Sequence, residues 1–446
     1  MNGQVWGRAR ARAALRMGKN AVARLAAQVA ARLLSLLLVA LVARYEGTAG
    51  LGRYVLVVTV VGIAGAVCDL GLNTFVMREV ARQAGEARGP GEARRAGEAR
   101  HREGAQQREF LGRVLPLKGI VALAGFGILV GVAALAPFPG PTRRAIPLGA
   151  LSLLPDALSG AMGALVNGRQ RMEVSGALTM AVRLVAVAGS LPVLAAGFGV
   201  GGVVGCTVGA SLVGAVLYGA VLWRWGLLPR WRWDPAAWRG YLRESYPFAL
   251  TSAIAMAYAR LDVVLLGLWQ GDVAAGWYGA AYKLWEALGL LPASVMDAMF
   301  PEMSRLSASG DGMGRLRALF RIGGRAMLAG GFLLAIGGAL GARLLVPIVY
   351  GAGEDHAPTV LAFRLLVWAI PAMFLYLLSG HALYAVGRQR RVTAAMLVVG
   401  AVNLAANLVA IPRWGYLGAA GVALASEWLL WAILYGQARR ALKPET

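Results

Sequence analysis

The chain has 446 residues, 58% of them hydrophobic and only 15% charged, against roughly 25% charged in soluble domains. That excludes an ordinary soluble enzyme of two or three domains. Lys and Arg outnumber Asp and Glu by 45 to 22, a formal net charge of +23, and the placement of this charge decides whether it serves nucleic acid or a membrane.

Apolar runs of about 20 residues, the length that crosses a hydrocarbon core of about 30 Å, recur along the whole chain. Twelve are predicted, near 22–43, 54–77, 114–136, 145–167, 174–196, 203–223, 245–267, 277–300, 318–341, 360–383, 393–411 and 418–437. The first follows a basic tail but is of spanning length, so it reads as a helix and not as a cleaved signal peptide. The second is continuous apart from Asp69 and Asn73. After it comes an insert that repeats Gly-Glu-Ala-Arg from Gly85, Gly91 and Gly97. A period of six fits neither a heptad nor a helix face, so a solvated, poorly ordered loop is expected. The fourth and eighth runs are interrupted by Pro155-Asp156 and by Pro292, residues that free backbone carbonyls and permit bending. Between the sixth and seventh runs, Trp225, Trp231, Trp233 and Trp238 alternate with Arg230, Arg232, Arg239 and Arg243. This mixture suits a short helix at headgroup level, an ordinary interfacial anchor. Cys68 and Cys206 fall inside apolar runs and read as small buried hydrophobes.

With the N-terminus cytoplasmic, about 32 of the 45 Lys and Arg fall in the tails and the even-to-odd connections, and about six in the opposite loops, the asymmetry of the positive-inside rule. Both termini are therefore expected in the cytoplasm, and nucleic acid is not expected as a partner.

The second half repeats the first. Gly47-x4-Gly52-x-Tyr54 returns as Gly271-x4-Gly276-x-Tyr278, and Glu79-x-x-Arg82 as Glu302-x-x-Arg305. Gly168-Arg169-Gln170-Arg171 returns as Gly387-Arg388-Gln389-Arg390, and Gly199-x-x-Gly202-x-x-Gly205 as Gly415-x-x-Gly418-x-x-Gly421. The offsets are 224, 223, 219 and 216, in register along the chain. Six spans per repeat give both repeats the same orientation, related by an axis along the membrane normal. The predicted fold is an all-α integral membrane protein of about 12 transmembrane helices. Its two six-helix lobes cover 1–223 and 245–446, joined by an interfacial cytoplasmic linker, 224–244. Repeats of this kind mark transporters, with the substrate site near the mid-membrane repeat interface.

A charge at mid-helix costs about 2.5–3.5 kcal/mol on insertion scales, so each such residue is expected to face a cavity or a partner. The cations are Arg24, Arg32, Lys118, Arg183, Arg260, Lys283 and Arg364; the acids are Asp69, Asp156, Asp262, Glu286, Asp297 and Glu427. Arg24, Gln28 and Arg32 share one helical face at i, i+4, i+8. Such a stripe suits a water-filled interior where guanidinium groups meet phosphate oxygens; alternatively Arg24 snorkels and only Arg32 is interior. Arg260 and Asp262, at i, i+2, cannot face each other, and each is expected to pair with another span, as with Lys283 or Glu286. Lys283 and Glu286, at i, i+3, can also neutralise one another. The candidate substrate-binding set is Arg24, Gln28, Arg32, Arg260, Lys283 and Arg364. Asp262, Glu286 and Glu427 are candidates for coupling to H+ or Na+, although a buried acid is equally often a structural partner. Asp69 and Asp297 are assigned to helix-end contacts.

No G-x4-G-K-[ST] loop, no H-E-x-x-H and no activated nucleophile is present, so no catalytic residue, metal or cofactor is expected. His101 and His356 fall in loops, and His381 reads as structural.

Ala43-Arg44-Tyr45 through Gly52-Arg53-Tyr54, Asp69-Leu70-Gly71-Leu72 and Arg78-Glu79-Val80-Ala81-Arg82 resemble the N-terminal signature of the polysaccharide biosynthesis flippases. Pro247-Phe248, Tyr258-x-Arg260-x-Asp262, Gly276-x-Tyr278-x-Ala280-Ala281-Tyr282, Phe300-Pro301 and Gly387-Arg388-Gln389 are similar to that family at matching places. The resemblance implies membership of the multidrug/oligosaccharidyl-lipid/polysaccharide exporter superfamily, with two lobes around a central cavity that opens alternately to each side. It implies a bacterial or archaeal cytoplasmic membrane, an oligosaccharide carried on undecaprenyl pyrophosphate as substrate, and polysaccharide polymerase and ligase machinery as partners besides membrane lipids. A cationic interior suits a diphosphate, which a neutral cavity would desolvate at full cost. An organic-cation antiporter of the same superfamily would instead want an acid-dominated cavity. An intramembrane polymerase or ligase would need a large outward loop with paired acids; the longest, near 342–358, holds Arg343, Glu354, Asp355 and His356.

Overall fold

The computed structural model describes the backbone of residues 2–86, 96–309, 312–351 and 356–443, with side chains for 29–83, 103–250, 252, 255, 256, 258–309, 312–351 and 356–443. Among these residues there are helices, turns and no strand. Hydrocarbon selects this outcome, because each backbone polar group must find its partner within its own segment.

Three helices are too long for a single crossing: α1 (Asn2–Asp69), α8 (Pro235–Leu288) and α13 (Gln389–Ala441). At about 1.5 Å per residue, such helices would reach at least twice the thickness of a hydrocarbon core. Each bends at one glycine, Gly47 (φ 66°), Gly271 (φ 81°) and Gly415 (φ 56°), in a region that residues with a Cβ rarely enter. Gly199, the repeat equivalent of Gly415, has φ 65° and opens α7 (Gly199–Arg224) just after α6 (Met172–Ala195). The repeated glycines therefore mark repeated backbone geometry.

The third and ninth spans are α3 (Ala96–Leu135) and α10 (Gly312–Tyr350). The fourth is the pair α4 (Gly140–Ala150) and α5 (Leu153–Gly168), bent by 41°. The tenth runs through α11 (Ala357–Leu366), a 3-10 turn and α12 (Ile370–Ala385). The second and eighth are continued by α2 (Leu72–Glu86) and α9 (Leu290–Ala308). The result is a bundle of twelve passes, six in each half.

Several local features differ from the sequence reading. The second span does not run through: α1 stops at Asp69, and Leu70 and Gly71 take φ 49° and 70°. A Cβ on Gly71 would meet Ser245 O and Ala249 N of α8 at 2.5 Å, so close backbone packing requires glycine there. The breaks in the fourth and eighth spans fall at Leu151–Ser152 and Gly289, before Pro155 and Pro292. Those prolines sit in the first turns of α5 and α9, where a missing N–H is harmless. The turn after α5 has Gln170 at φ 61° and that after α12 has Gly387 at φ 73°, so the structural equivalence lies two residues from the matched Gly-Arg-Gln-Arg string. In the Gly-Glu-Ala-Arg insert, residues 96–100 open α3 as helix, and 87–95 lie outside the described residues.

The connection 225–234 is an irregular strap, and a helix begins only at Pro235. Asp234 caps α8 by accepting from Ala237 N at 3.1 Å, with Pro235 suited to the first turn. The strap lies across α3: Arg232 N donates to Gly112 O (2.9 Å) and Arg108 Nε to Leu228 O (2.8 Å). Two of its backbone groups, Arg232 N and Leu228 O, thus find their partners on α3.

The two halves meet chiefly along α1 and α8. Leu56 fills the space over Gly267, and Val55 that over Gly279. At the end that holds Gly47 and Gly271, Asp272 accepts from Thr142 Oγ1 (2.6 Å) and pairs with Arg53 (3.6 Å). Arg44 Nε donates to Val349 O of α10 at 3.0 Å. At the opposite end Arg78 pairs with Glu244 at 2.7 Å. The repeated acid–arginine pairs adopt one geometry: Arg82 on Glu79 (2.6 and 3.0 Å) and Arg305 on Glu302 (2.7 and 2.9 Å), both bidentate. In each pair the guanidinium holds the carboxyl below the usual carboxylate range.

Candidate functional site

A cavity of about 740 Å³ lies among α1, α2, α3, α4, α5, α6 and α7, within the first half. The break at Leu70–Gly71 is what furnishes its charged wall. It places Asp69 and Asn73 on either side of a bend, and Lys118 of α3 reaches both, at 2.7 and 2.6 Å. Lys118 is 1% exposed. Removing such an ion from water is expensive unless its hydrogen bonds are met; this ammonium satisfies two of its three donors.

Arg183 of α6 also lines the cavity and is exposed within it. Among the described residues it makes no hydrogen bond or ion pair, so its five donors are open to a ligand. Asp156, on α5, faces Ser152, Ser211 and the charge of Arg183. Tyr218 and Ser175 join their hydroxyls at 3.2 Å, and Thr179, Thr207 and Asn167 add further hydroxyl and amide groups. Cys68 is half-buried and lines the same space. This wall offers a guanidinium for an anion and many small hydrogen-bonding groups for a polyol.

The second half carries a compact polar network instead. Glu286 accepts from Arg260 (3.1 Å) and from Lys283 (2.9 Å), while Arg260 also stacks over Tyr282 at 5.1 Å. Asp262 accepts from Tyr278 Oη and from Val263 N. Glu427 takes a 3.4 Å bond from Tyr258 Oη, and its other oxygen is buried without a partner among the described residues. Asn403 Nδ2 donates to Ser426 Oγ (2.9 Å), and Asn407 Nδ2 to Asn403 Oδ1 (3.0 Å). His381 Nδ1 donates to Leu377 O at 2.7 Å, and the ring packs on Phe300 and Tyr384.

The sequence-derived set is thus dispersed. Arg24 and Gln28 lie outside the described residues, and Arg32 is exposed on α1. Arg260 and Lys283 share Glu286, as the in-span spacing allows. Arg364 Nε is tied to Ala339 O at 3.0 Å. Among the described residues of the set, Arg32, Arg260, Lys283 and Arg364 do not line the cavity of the first half. Its charged residues, Asp69, Lys118, Asp156 and Arg183, were readable as in-span charges. What hid them was the assignment of Asp69 to a helix end: it does end a helix, but inside the bundle.

Among curated proteins, none matches the sequence. Solved structures with the same fold include lipid II flippase MurJ in an inward closed conformation (TM-score 0.74, 12% identity, covering 94% of this chain and 87% of that one). A multidrug resistance MATE family transporter of the MOP superfamily, inward-facing, matches with TM-score 0.64 at 14% identity, over 95% of this chain and 98% of that one. A MOP superfamily transporter from Pyrococcus furiosus, described as having a binding pocket of reverse polarity, matches with TM-score 0.59 at 13% identity, over 95% and 94%. Residues 17–307 match the family described as polysaccharide biosynthesis protein, and the chain belongs to that family, with the fold of the MurJ and MATE membrane transporters.

Proposed function

We propose that the protein is a flippase that moves an oligosaccharide linked to undecaprenyl pyrophosphate from the cytoplasmic to the outer leaflet, and that it is not an enzyme. The observation that carries this reading is the cavity of about 740 Å³ in which Arg183, with no hydrogen bond or ion pair among the described residues, stands among hydroxyl and amide groups. Such a wall matches a glycan joined to an anionic diphosphate, and the fold is that of a lipid II flippase. The glycan occupies the cavity, Arg183 takes a phosphate oxygen, and the polyprenyl tail stays in lipid. Arg32, exposed on α1, serves as a second phosphate contact, with Arg24 and Gln28 on the same face. Arg260, Lys283 and Arg364 complete the cationic set when the lobes rearrange.

The lobes are 1–223 and 245–446, rocking about the connection 224–244 in the cytoplasmic membrane of a bacterium or archaeon. With both termini cytoplasmic, as the Lys and Arg asymmetry supports, the end holding Asp272 faces outward. Its contacts with Thr142 and Arg53 then form an outer gate. Coupling to H+ or Na+ falls to Asp262, Glu286 or Glu427, and the polymerase and ligase machinery receives the product.

A second reading, export of organic cations coupled to an ion, is favoured by Asp156 in the cavity wall and by the shared MATE fold. A deletion strain separates the two. Accumulation of full-length undecaprenyl-pyrophosphate-linked units by mass spectrometry, with loss of surface polymer and rescue by the gene, is the expected result. An unchanged lipid-linked pool with altered sensitivity to cationic dyes would replace the first reading with the second.

A further inference from the structure

A second cavity, of about 600 Å³, lies between the start of α3, the turn after α5 and the 225–234 strap. It shares no residue with the cavity of the first half. Its walls carry Arg108, Arg169, Arg230 and Arg232 against Glu109. Glu109 is already engaged by Arg113 (2.9 Å) and Arg232. Arg108 commits its Nε to Leu228 O, and its terminal nitrogens have no partner among the described residues. Among the described residues the side chains of Arg169 and Arg230 make no hydrogen bond or ion pair, and the acid facing Arg169 is Glu103. So many arginines repel one another unless an anion joins them, and guanidinium groups suit phosphate oxygens.

The depth and the rim decide the source of that phosphate. α7 ends at Arg224, beside the cleft, so the site sits where a span leaves the hydrocarbon. Trp231, in its wall, is 64% exposed, and Trp223 and Trp233 alongside are 70% and 68% exposed. Trp233 meets Trp238 edge-to-face at 4.8 Å, yet most of each indole surface stays open; indoles this exposed suit the glycerol and upper acyl region of a lipid leaflet. A soluble anion would need the arginines alone.

We propose that this cleft binds the phosphodiester headgroup of an anionic glycerophospholipid, which joins the strap to α3. The site is independent of the transported cargo, so its failure would leave the flippase reading standing.

The test uses the full chain, purified in detergent, with lipid binding followed by native mass spectrometry. Phosphatidylglycerol, phosphatidylcholine and inorganic phosphate are the probes. Phosphatidylglycerol is expected to bind, with affinity weakened about fivefold by each of Arg169→Gln and Arg230→Gln. Arg239→Gln/Arg243→Gln, exposed on the same connection but outside the cleft, is expected to bind as the parent does. Arg169→Lys/Arg230→Lys keeps both charges but not the planar fork and is expected to restore part of the affinity, which separates lost binding from lost folding. Equal losses in the cleft and control variants would overturn the site as a general charge effect. Equal binding of phosphatidylcholine would overturn the anionic headgroup, and displacement of lipid by inorganic phosphate would replace it with a free-anion site.

Discussion

Gly52 of α1 and Gly276 of α8 are equivalents in the two repeats, and they touch each other. A Cβ on Gly52 would stand 2.7 Å from Gly276 N and 1.7 Å from Asp272 O; one on Gly276 would stand 3.1 Å from Gly52 N and 2.2 Å from Thr48 O. Thr48 and Asp272 are themselves separated by the same offset as Gly52 and Gly276. The contact is therefore reciprocal, as at a two-fold interface, and the pseudo-axis passes between the two glycines. Backbone faces backbone, so no flexible side chain can yield.

Gly52→Ala is accordingly expected to part the seam. Leu51, beside it, is 2% exposed, so a cysteine there, in a Cys68→Ser/Cys206→Ser background, reports opening. A soluble maleimide should label Leu51→Cys slowly in the parent and many-fold faster once Gly52→Ala is added. Equal labelling rates would show that the seam tolerates the methyl group and does not act as a gate.

Asp272 holds the same end through Thr142 Oγ1 and Arg53, with its side chain 9% exposed. Asp272→Ala removes both contacts and is expected to cost about 1.5–3 kcal/mol, the range for hydrogen bonds to charged groups. Asp272→Asn keeps an acceptor for Thr142 and should cost distinctly less. Thermal unfolding in detergent compares them; identical losses would mean that the hydrogen bond contributes nothing beyond the charge.

The seam was legible before the structure, though its reason was not. Gly47, Gly52, Gly271 and Gly276 stand out as a repeated string because backbone geometry required glycine at both copies. The string itself does not say that Gly47 and Gly271 bend helices while Gly52 and Gly276 admit a neighbouring backbone. Where a turn requires only a left-handed residue, Gln170 replaces glycine in one repeat, and the Gly-Arg-Gln-Arg string misplaced the register by two residues. The cavity was hidden for another reason. A run of apolar residues through 54–77 predicts a straight span, whereas the demand for glycine at Gly71 comes from α8, far away in sequence.

Lys118 is the residue on which that cavity wall depends. Its loss leaves Asp69, 20% exposed at its side chain, without an ion-pair partner among the described residues. Lys118→Met is expected to destabilise by about 3–5 kcal/mol, as when one partner of a buried pair is removed. Adding Asp69→Asn should recover much of that loss, because the uncompensated carboxylate is gone. A double-mutant cycle on thermal or denaturant unfolding measures the coupling. Strictly additive losses would mean that the two groups do not depend on each other.

Arg183 and Arg260 should respond in opposite ways, although both are arginines inside spans. Arg183 has no hydrogen-bond or ion-pair partner among the described residues, so Arg183→Ala is expected to change stability by no more than about 0.5 kcal/mol. Under the proposed function it should abolish restoration of surface polymer in the deletion strain. Arg183→Lys, a point charge without the planar fork, should restore only part of it. Arg260 is bonded to Glu286 and stacked on Tyr282, so Arg260→Ala should lower the unfolding temperature as well as transport. Lys283 still faces Glu286 in that variant, which keeps the loss below that of an isolated buried carboxylate. Unfolding temperatures and lipid-linked oligosaccharide pools, measured side by side, check both. Full transport by Arg183→Ala would remove the guanidinium from the substrate path and with it the main support for an anionic cargo in this cavity.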